Sequence, residues 1–301
     1  MIALARFVLR GPSQAALVVT TAALLAIILM PFSWISAGAL TLVVLHLGHQ
    51  AAFKIMAIAG LATVVLGWAA LGTPTLALIN ILFLWLPVAL IAYILRQTVS
   101  LVISMQVLTV IGLLAVMVIY LLFPEMGQTF SQQFQQLLAP AIQQSGSQID
   151  QQQLDNLLYW FARAVPGLLS VVMVLNVLMG LFLGRWWQAA LFNPGGFTTE
   201  FNELRLGKSF VLVAALLLIA NMLVDNDGIL GAMLVMVTIV LVQGVAIMHG
   251  VIAVKQLSRS WLFGFYVLLI LIPQVTVIVA IVGLLDAWVD IRKQITPSSV
   301  D

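Results

Sequence analysis

The sequence predicts an all-α fold, a polytopic bundle of transmembrane helices. Hydrophobic residues make up 63% of its 301 residues and charged residues only 7%. The charges lie between long apolar stretches, and a bilayer core about 30 Å thick needs about 20 apolar residues per helix. Helices satisfy all of their backbone hydrogen bonds within lipid. We therefore expect a single integral membrane domain over residues 1–301.

Turn residues divide the apolar sequence into about nine spans. Pro31 separates the first two spans, and Asp225–Gly228 is strong turn sequence because Asn and Asp bond to the local backbone and Gly accepts a positive φ. The count falls to eight if the short first pair, or the last segment with Pro273 inside it, does not cross the membrane. The predicted spans are 13–30, 33–48, 52–72, 75–95, 99–123, 166–184, 209–224, 229–254 and 261–286.

Basic residues predict the orientation, because Lys and Arg in short loops favour the cytoplasmic side. The N-terminus is therefore predicted to be cytoplasmic in a bacterial inner membrane, with an uncleaved first helix. Nine spans would leave Arg292 and Lys293 outside, against this rule. The predicted cytoplasmic residues are Arg6, Arg10, Lys54, Arg96, Arg185, Arg205, Lys208, Lys255 and Arg259. Those predicted on the opposite side are Glu125, Asp150, Asp155, Arg163, Asp225 and Asp227.

Residues 124–165 form a predicted periplasmic insertion that is rich in Gln and nearly uncharged. Apolar residues recur there at helical spacing in two runs, broken at Pro140 and at Ser145-Gly146-Ser147. This pattern indicates two amphipathic helices that pack on the membrane domain or lie in the interface. The insertion is interpreted either as a lid or docking surface, or as a solvated spacer.

Uncharged polar side chains inside the spans are the candidate binding residues. They line a cavity for a neutral group if they converge; otherwise they hydrogen-bond between helices, each bond contributing about 0.6–2 kcal/mol. Gly180 and Gly184 form a small-xxx-small pair, for which internal helix packing is favoured over dimerisation. The candidate cavity residues are Asn80, Gln106, Asn176, Asn221, Gln243 and Gln274.

The predicted cytoplasmic loop 185–208 carries mixed charge and flanking aromatic residues. Thr198 or Thr199 is a candidate N-cap for a short helix within it. The loop is interpreted as a docking site for a partner protein, with a structural loop held by its own ion pairs as the alternative. The candidate docking residues are Arg185, Glu200, Glu203, Arg205 and Lys208.

The C-terminal segment carries Asp286, Asp290 and Arg292. Asp286 is the charge closest to the membrane core, so it faces either a cation or substrate, or a neighbouring Arg where the helix meets water. His46, His49 and His249 are predicted at the cytoplasmic ends of spans. Three imidazoles can bind zinc, but interfacial hydrogen bonding is favoured and no metal site is predicted.

Several functional classes are disfavoured by what the sequence lacks. It has no cysteine, which excludes thiolate chemistry and disulfides. It contains no nucleophile–base grouping, phosphate-binding loop or metalloprotease motif. A net charge of +2 is too small and dispersed for a nucleic-acid partner. We expect a protein that is not an enzyme, uses no cofactor and has the lipid bilayer as its main partner.

Two short segments resemble the YybS-like family of bacterial multi-pass membrane proteins. Phe201–Leu206 resembles that family's F-x-E-W-R-L loop, and Gly283–Arg292 resembles its C-terminal G-L-x-D-x-W-x-D-x-R ending. Leu204 stands where an aromatic residue is usual and Gly207 where Pro is common, which puts the conformation of the loop in doubt. The family has no assigned function. Its hydropathy is similar to that of the substrate-binding components of energy-coupling vitamin transporters, which implies a binding subunit with a neutral cavity.

The sequence therefore predicts a non-enzymatic transport or substrate-binding membrane component for a small neutral or apolar solute. A cytoplasmic or membrane partner would supply energy, since the chain has no ATP motif. The alternatives are a membrane scaffold or assembly factor that docks partner proteins, and a lipid-handling, flippase-like protein. A lateral opening between helices favours lipid handling, a sealed polar cavity favours solute binding, and a solid core favours the scaffold.

Overall fold

The computed structural model describes residues 1–145, 151–258 and 260–295. Within these ranges the backbone forms helices joined by short turns and contains no strand, so the all-α prediction is confirmed. Asp150, Arg259 and the predicted break at Gly146-Ser147 lie outside the described residues.

The helices follow one another with short connections. A π-helical turn, Ile81–Trp85, joins α5 to α6, so that Thr75–Thr98 is one continuous helix. The α-helices of the described chain are α1 Ile2–Val8, α2 Pro12–Leu25, α3 Pro31–Leu47, α4 His49–Leu71, α5 Thr75–Asn80, α6 Leu86–Thr98, α7 Leu101–Leu122, α8 Met126–Ser145, α9 Gln151–Phe192, α10 Gly196–Asn202, α11 Lys208–Leu223, α12 Asp227–Val254, α13 Ser260–Leu271, α14 Pro273–Val289 and α15 Ile291–Ile295.

Several of these helices are long and apolar enough to cross a membrane, as expected for a membrane protein. A further span arises if α13 and α14, which meet at an angle of 115°, count as one bent helix. The apolar helices α2, α3 and α11 are shorter, with 14, 17 and 16 residues. The prediction of nine spans is therefore not confirmed. The five long segments are His49–Ala70, Ala77–Thr98, Leu101–Leu122, Gln152–Phe192 and Asp227–Val254.

α3 lies at the centre of the bundle, in contact with α2, α4, α6 and α9. Every residue from Ser36 to Leu45 is buried. Its closest neighbour is α9, which runs parallel to it. A Cβ atom at Gly180 would lie 2.3 Å from the Cβ of Ala37, and one at Gly184 would lie 2.4 Å from the Cβ of Thr41. The two glycines therefore pack inside the molecule, which is the use that the sequence favoured.

α9 is too long to be a simple span. Its 42 residues extend about 63 Å at 1.5 Å per residue, about twice the thickness of a bilayer core. Its first part packs against α8, where the rings of Phe134 and Phe161 lie 4.9 Å apart and the hydroxyl of Ser131 donates to the carbonyl of Leu158 at 3.3 Å. Pro140 lies within α8, and α9 continues through Pro166, so neither proline ends its helix.

The predicted separate helix before residue 166 is thus continuous with the sixth predicted span. Proline need not end a helix where neighbouring groups compensate for the lost hydrogen bond. The periplasmic Gln-rich insertion as such is not confirmed.

Two ends of the bundle are distinguished by their contacts. We call one the hairpin end, where Arg163 on α9 forms ion pairs with Asp225 and Asp227 ahead of and at the start of α12. Arg163 also lies over the ring of Trp160, 5.0 Å from its centre. We call the other the loop end. It holds the segment 193–207 and the C-terminal end of α12, where the carbonyl of Asn202 approaches Gly250.

α13 and α14 form a bent pair that begins and ends at the loop end. α13 follows the end of α12, and Arg292, just after α14, contacts Gly250 and the carbonyl of Asn202. α14 crosses α12 at close range, since a Cβ at Gly283 would lie 2.3 Å from the carbonyl oxygen of Val240. The segment that the sequence read as a ninth span, with its tail on the far side, therefore turns back on itself at Pro273.

Removing the close approach of α3 and α9 should destabilise the fold. We expect Gly180→Ala to cost about 1–3 kcal/mol, because the new methyl group must displace Ala37 on a buried helix. Gly264→Ala is the matched control, since nothing lies within 4 Å of a Cβ at that helical position. Thermal unfolding in detergent checks this, and equal melting temperatures for the two variants would show that the contact is unimportant.

Introduced cysteines should report the reversal of α13 and α14. The chain has no native cysteine, so Ser258→Cys, Gln294→Cys and Gln128→Cys each carry one thiol. We expect an impermeant thiol reagent to label positions 258 and 294 from the same side of the membrane and position 128 from the other. Labelling of 294 together with 128 would instead mean that α13 and α14 cross the membrane.

Candidate functional site

The segment 203–207 joins α10 to α11 at the loop end of the bundle and begins with a turn at Glu203. Leu204 and Leu206 are buried, while Glu203, Arg205 and Gly207 are exposed. The segment therefore inserts two leucine side chains into the bundle. It ends at Gly207 with φ +88°, a value that favours glycine.

Two glutamines hold this segment in place. The side-chain NH₂ of Gln106 on α7 donates to the carbonyl of Leu206 at 2.7 Å. The backbone N–H of Leu206 donates to Oε1 of Gln243 on α12 at 2.8 Å, and Nε2 of Gln243 donates to the carbonyl of Gly283 on α14 at 2.6 Å. Four elements are therefore joined by one hydrogen-bond chain, which buries the polar groups with their partners.

The C-terminal segment closes over the same loop. Asp286 is 2% exposed and accepts from Nη2 of Arg292 at 2.9 Å and from the backbone N–H of Ile291 at 2.9 Å. Arg292 also donates to the carbonyls of Asn202 and Leu204. A cation at the C-terminal end of α10 satisfies free carbonyls and interacts favourably with the helix dipole. Asp286 therefore pairs with a neighbouring Arg, which is the second of the two interpretations that the sequence allowed.

The remaining charges of the predicted docking loop also pair within the molecule. Arg185 binds Glu200 through both carboxylate oxygens. Arg205 binds Asp290 in the same bidentate way, and this hydrogen bond raises the pKa of Arg205. Lys208 forms no ion pair within the described residues. The two ion pairs match the alternative interpretation, in which the segment is a structural loop held by its own ion pairs. Docking of a partner protein stays a prediction.

The other candidate cavity residues do not meet Gln106 and Gln243 in one place. Oδ1 of Asn176 accepts from Ser33 at 2.8 Å and from the indole of Trp34 at 3.1 Å, which ties α9 to the start of α3. Asn80 lies beside a cavity of about 20 Å³, Asn221 is half-buried near the end of α11 and Gln274 is exposed at the start of α14. The six residues therefore lie in five separate parts of the molecule.

A groove of about 470 Å³ opens on the side of the bundle, between α4 and the continuous helix of α5 and α6. We call it the lateral groove. Val44 on α3 and Ile111 on α7 contribute to its lining. Its size is in the range of small-molecule sites. The larger part of its wall is formed by Ala52, Phe53, Met56, Leu86, Ala89 and Leu90.

The polar groups of the lateral groove are His49 and Tyr93, whose rings lie 5.2 Å apart in an edge-to-face arrangement. The other two histidines lie elsewhere. His46 stacks on Phe192, and a ring nitrogen of His249 lies 2.8 Å from the hydroxyl of Tyr266. The three histidines considered as a zinc set therefore each contact a different aromatic residue.

The sequence did not predict the lateral groove. The candidate binding residues were the Asn and Gln side chains inside the spans, whereas the groove is lined mainly by ordinary apolar residues. The small side chains Ala52 and Ala89 leave space between helices whose outer positions carry larger side chains. No feature of either helix alone distinguishes such an alanine from one that faces lipid, because the space depends on how the two helices lie together.

Comparison of this chain with protein-family models, curated proteins and solved structures finds no match.

Gln243 should contribute more to stability than a comparable glutamine in the same membrane domain. Gln243→Leu leaves the buried N–H of Leu206 without its partner and removes a second hydrogen bond from the helical carbonyl of Gly283, so we expect a loss of about 1–3 kcal/mol. Gln274→Leu, at an exposed position, should change stability by about 0.5 kcal/mol or less. Chemical unfolding in detergent measures both, and equal stabilities would exclude the role given to Gln243.

Proposed function

We propose that this protein is a non-enzymatic membrane component that binds a small apolar solute in the lateral groove, in a transport or substrate-binding role. The groove itself carries this proposal. It has room for a ligand, its lining is almost wholly apolar, and it is open at the side of the bundle rather than sealed. A site of this kind receives its ligand from the lipid phase, because an apolar molecule partitions there before it reaches the protein.

The lateral opening favours solutes that reside in the bilayer over water-soluble ones. A water-soluble solute would need polar groups to replace its hydration, and such groups are few in the groove. Lipid handling, an alternative raised by the sequence, therefore shares its physical basis with solute binding. The scaffold alternative receives less support, since Arg185, Glu200, Arg205 and Asp290 are engaged with one another.

The proposal includes an orientation. Placing the loop end in the cytoplasm satisfies the positive-inside rule for the basic loops, and it brings the N-terminus to the same side. Eight spans then follow, formed by α2, α3, α4, α5 with α6, α7, α9, α11 and α12. α13 and α14 form a re-entrant pair, so Arg292 is cytoplasmic as well. This arrangement removes the conflict that nine spans created for the basic C-terminal tail.

The re-entrant arrangement also places the hairpin end in the periplasm of a bacterial inner membrane. The start of α9, with the Gln-rich α8 packed on it, then projects beyond the hydrocarbon region because α9 is about twice the bilayer thickness. Arg163, Asp225 and Asp227 then lie at the interface, where the two aspartates remain accessible to water and neutralise the nearly buried Arg163.

We also propose that the protein is a member of the YybS-like family. The two segments that carry the resemblance meet at the loop end, where Arg205 binds Asp290 and Arg292 donates to Leu204. An energy-supplying partner, if transport is active, would approach this end of the bundle. Glu203 and Lys208 are exposed there and available to it.

Filling the lateral groove should prevent ligand binding without unfolding the protein. Ala89 lines the groove and is half-buried, so Ala89→Trp places a large ring in it. We expect labelling by a photoactivatable long-chain alcohol to fall by about tenfold, a loss of about 1.4 kcal/mol in binding.

Ala57→Trp is the matched control, because Ala57 is exposed on α4, the other helix of the groove wall, and is not part of the groove lining. This variant should retain the labelling of the native protein. Mass spectrometry of the labelled peptides locates the probe, and undiminished labelling of α4 and α6 in Ala89→Trp would exclude the groove as the binding site.

A further inference from the structure

One end of the lateral groove differs chemically from the rest. His49 begins α4, and Tyr93 lies in the last turns of α6, so both are at the loop end. Within the described residues, neither the hydroxyl of Tyr93 nor a ring nitrogen of His49 forms a hydrogen bond. Both side chains carry hydrogen-bond donors. The apolar groove therefore ends in donors that are available to a ligand.

Arg96 adds a positive charge at this end. Its Nη1 donates to the carbonyl of Val44 at 2.8 Å, and Val44 is part of the groove wall. The same nitrogen would lie 2.9 Å from a Cβ at Gly48, the residue before His49. The guanidinium thus lies directly beside the polar end of the groove. It has five N–H donors, of which Val44 uses one.

No acidic side chain neutralises this charge among the described residues. Arg96 takes part in none of the ion pairs found there. Arg96 is not itself part of the groove lining and borders a neighbouring cavity of about 330 Å³ that is also lined by Glu200, but both carboxylate oxygens of Glu200 are bound by Arg185. Lys54, exposed on the same helix as His49, increases the positive charge of this region.

We propose that the lateral groove binds a glycerophospholipid with an anionic headgroup, with an acyl chain along the apolar wall and the phosphate beside Arg96. This proposal rests on the proposed function and specifies its ligand. An Arg–phosphate pair is a charge-assisted hydrogen bond with good geometry. Tyr93 and His49 donate to the remaining phosphate or ester oxygens. Exposed Arg96 and Lys54 at a membrane interface also attract anionic lipid at longer range.

The test compares two photoactivatable lipids with identical acyl chains, phosphatidylglycerol and phosphatidylcholine, in detergent micelles that contain the purified full chain. Both lipids carry the phosphate, but the positive choline group of phosphatidylcholine is repelled by Arg96 and Lys54, so we expect phosphatidylglycerol to label the groove about tenfold more efficiently. Arg96→Gln should reduce this preference to about twofold or less, while Arg96→Lys, which keeps the charge and a donor for Val44, should retain most of it. Arg6→Gln, at an exposed position on α1, should leave the preference unchanged.

The outcomes separate this proposal from the one on which it rests. Equal labelling of the groove by both lipids, unaffected by Arg96→Gln, would overturn the anionic headgroup and leave the apolar site in place. No labelling of α4 and α6 by either lipid would overturn both proposals. Melting temperatures of the variants are measured in parallel, so that a lower preference in Arg96→Gln is separated from a loss of fold.

Discussion

The close contact between α3 and α9 is the constraint on which the rest of the bundle depends. In lipid there is little hydrophobic gain from bringing apolar helices together, so packing at short range must hold them. Gly180 and Gly184 allow the two backbones to approach, and α3 is thereby enclosed over its whole central part. α2, α4 and α6 pack on the other sides of α3, so their positions, and that of the groove between α4 and α6, follow from this contact.

A second set of interactions organises the loop end. The inserted segment supplies backbone groups that Gln106 and Gln243 bind, and the C-terminal residues Asp286 and Arg292 close over it. A buried ion pair costs free energy through desolvation, and here Arg292 offsets part of this cost by also donating to the carbonyls of Asn202 and Leu204. The sequence predicted these charged side chains as a docking site for a partner, but most of them form ion pairs within the protein itself.

The two regions differ in how they use polar and apolar residues. Asn176, Gln106 and Gln243 hydrogen-bond between elements of the bundle, whereas the lateral groove is lined almost wholly by apolar side chains. Its polar end, with His49, Tyr93 and Arg96, lies at the end of the bundle where the basic loops gather.

The sequence by itself determined the class of protein, the approximate positions of the helices and the use of Gly180 and Gly184, because hydropathy and small-residue spacing belong to single helices. It could not decide whether Pro273 kinks a span or reverses it, since proline is compatible with both and only packing against α12 distinguishes them. Nor could it separate Gln243, which joins three elements, from the exposed Gln274. The sequence did not predict the groove either, because it is a space between consecutive helices whose separation depends on how both pack against α3.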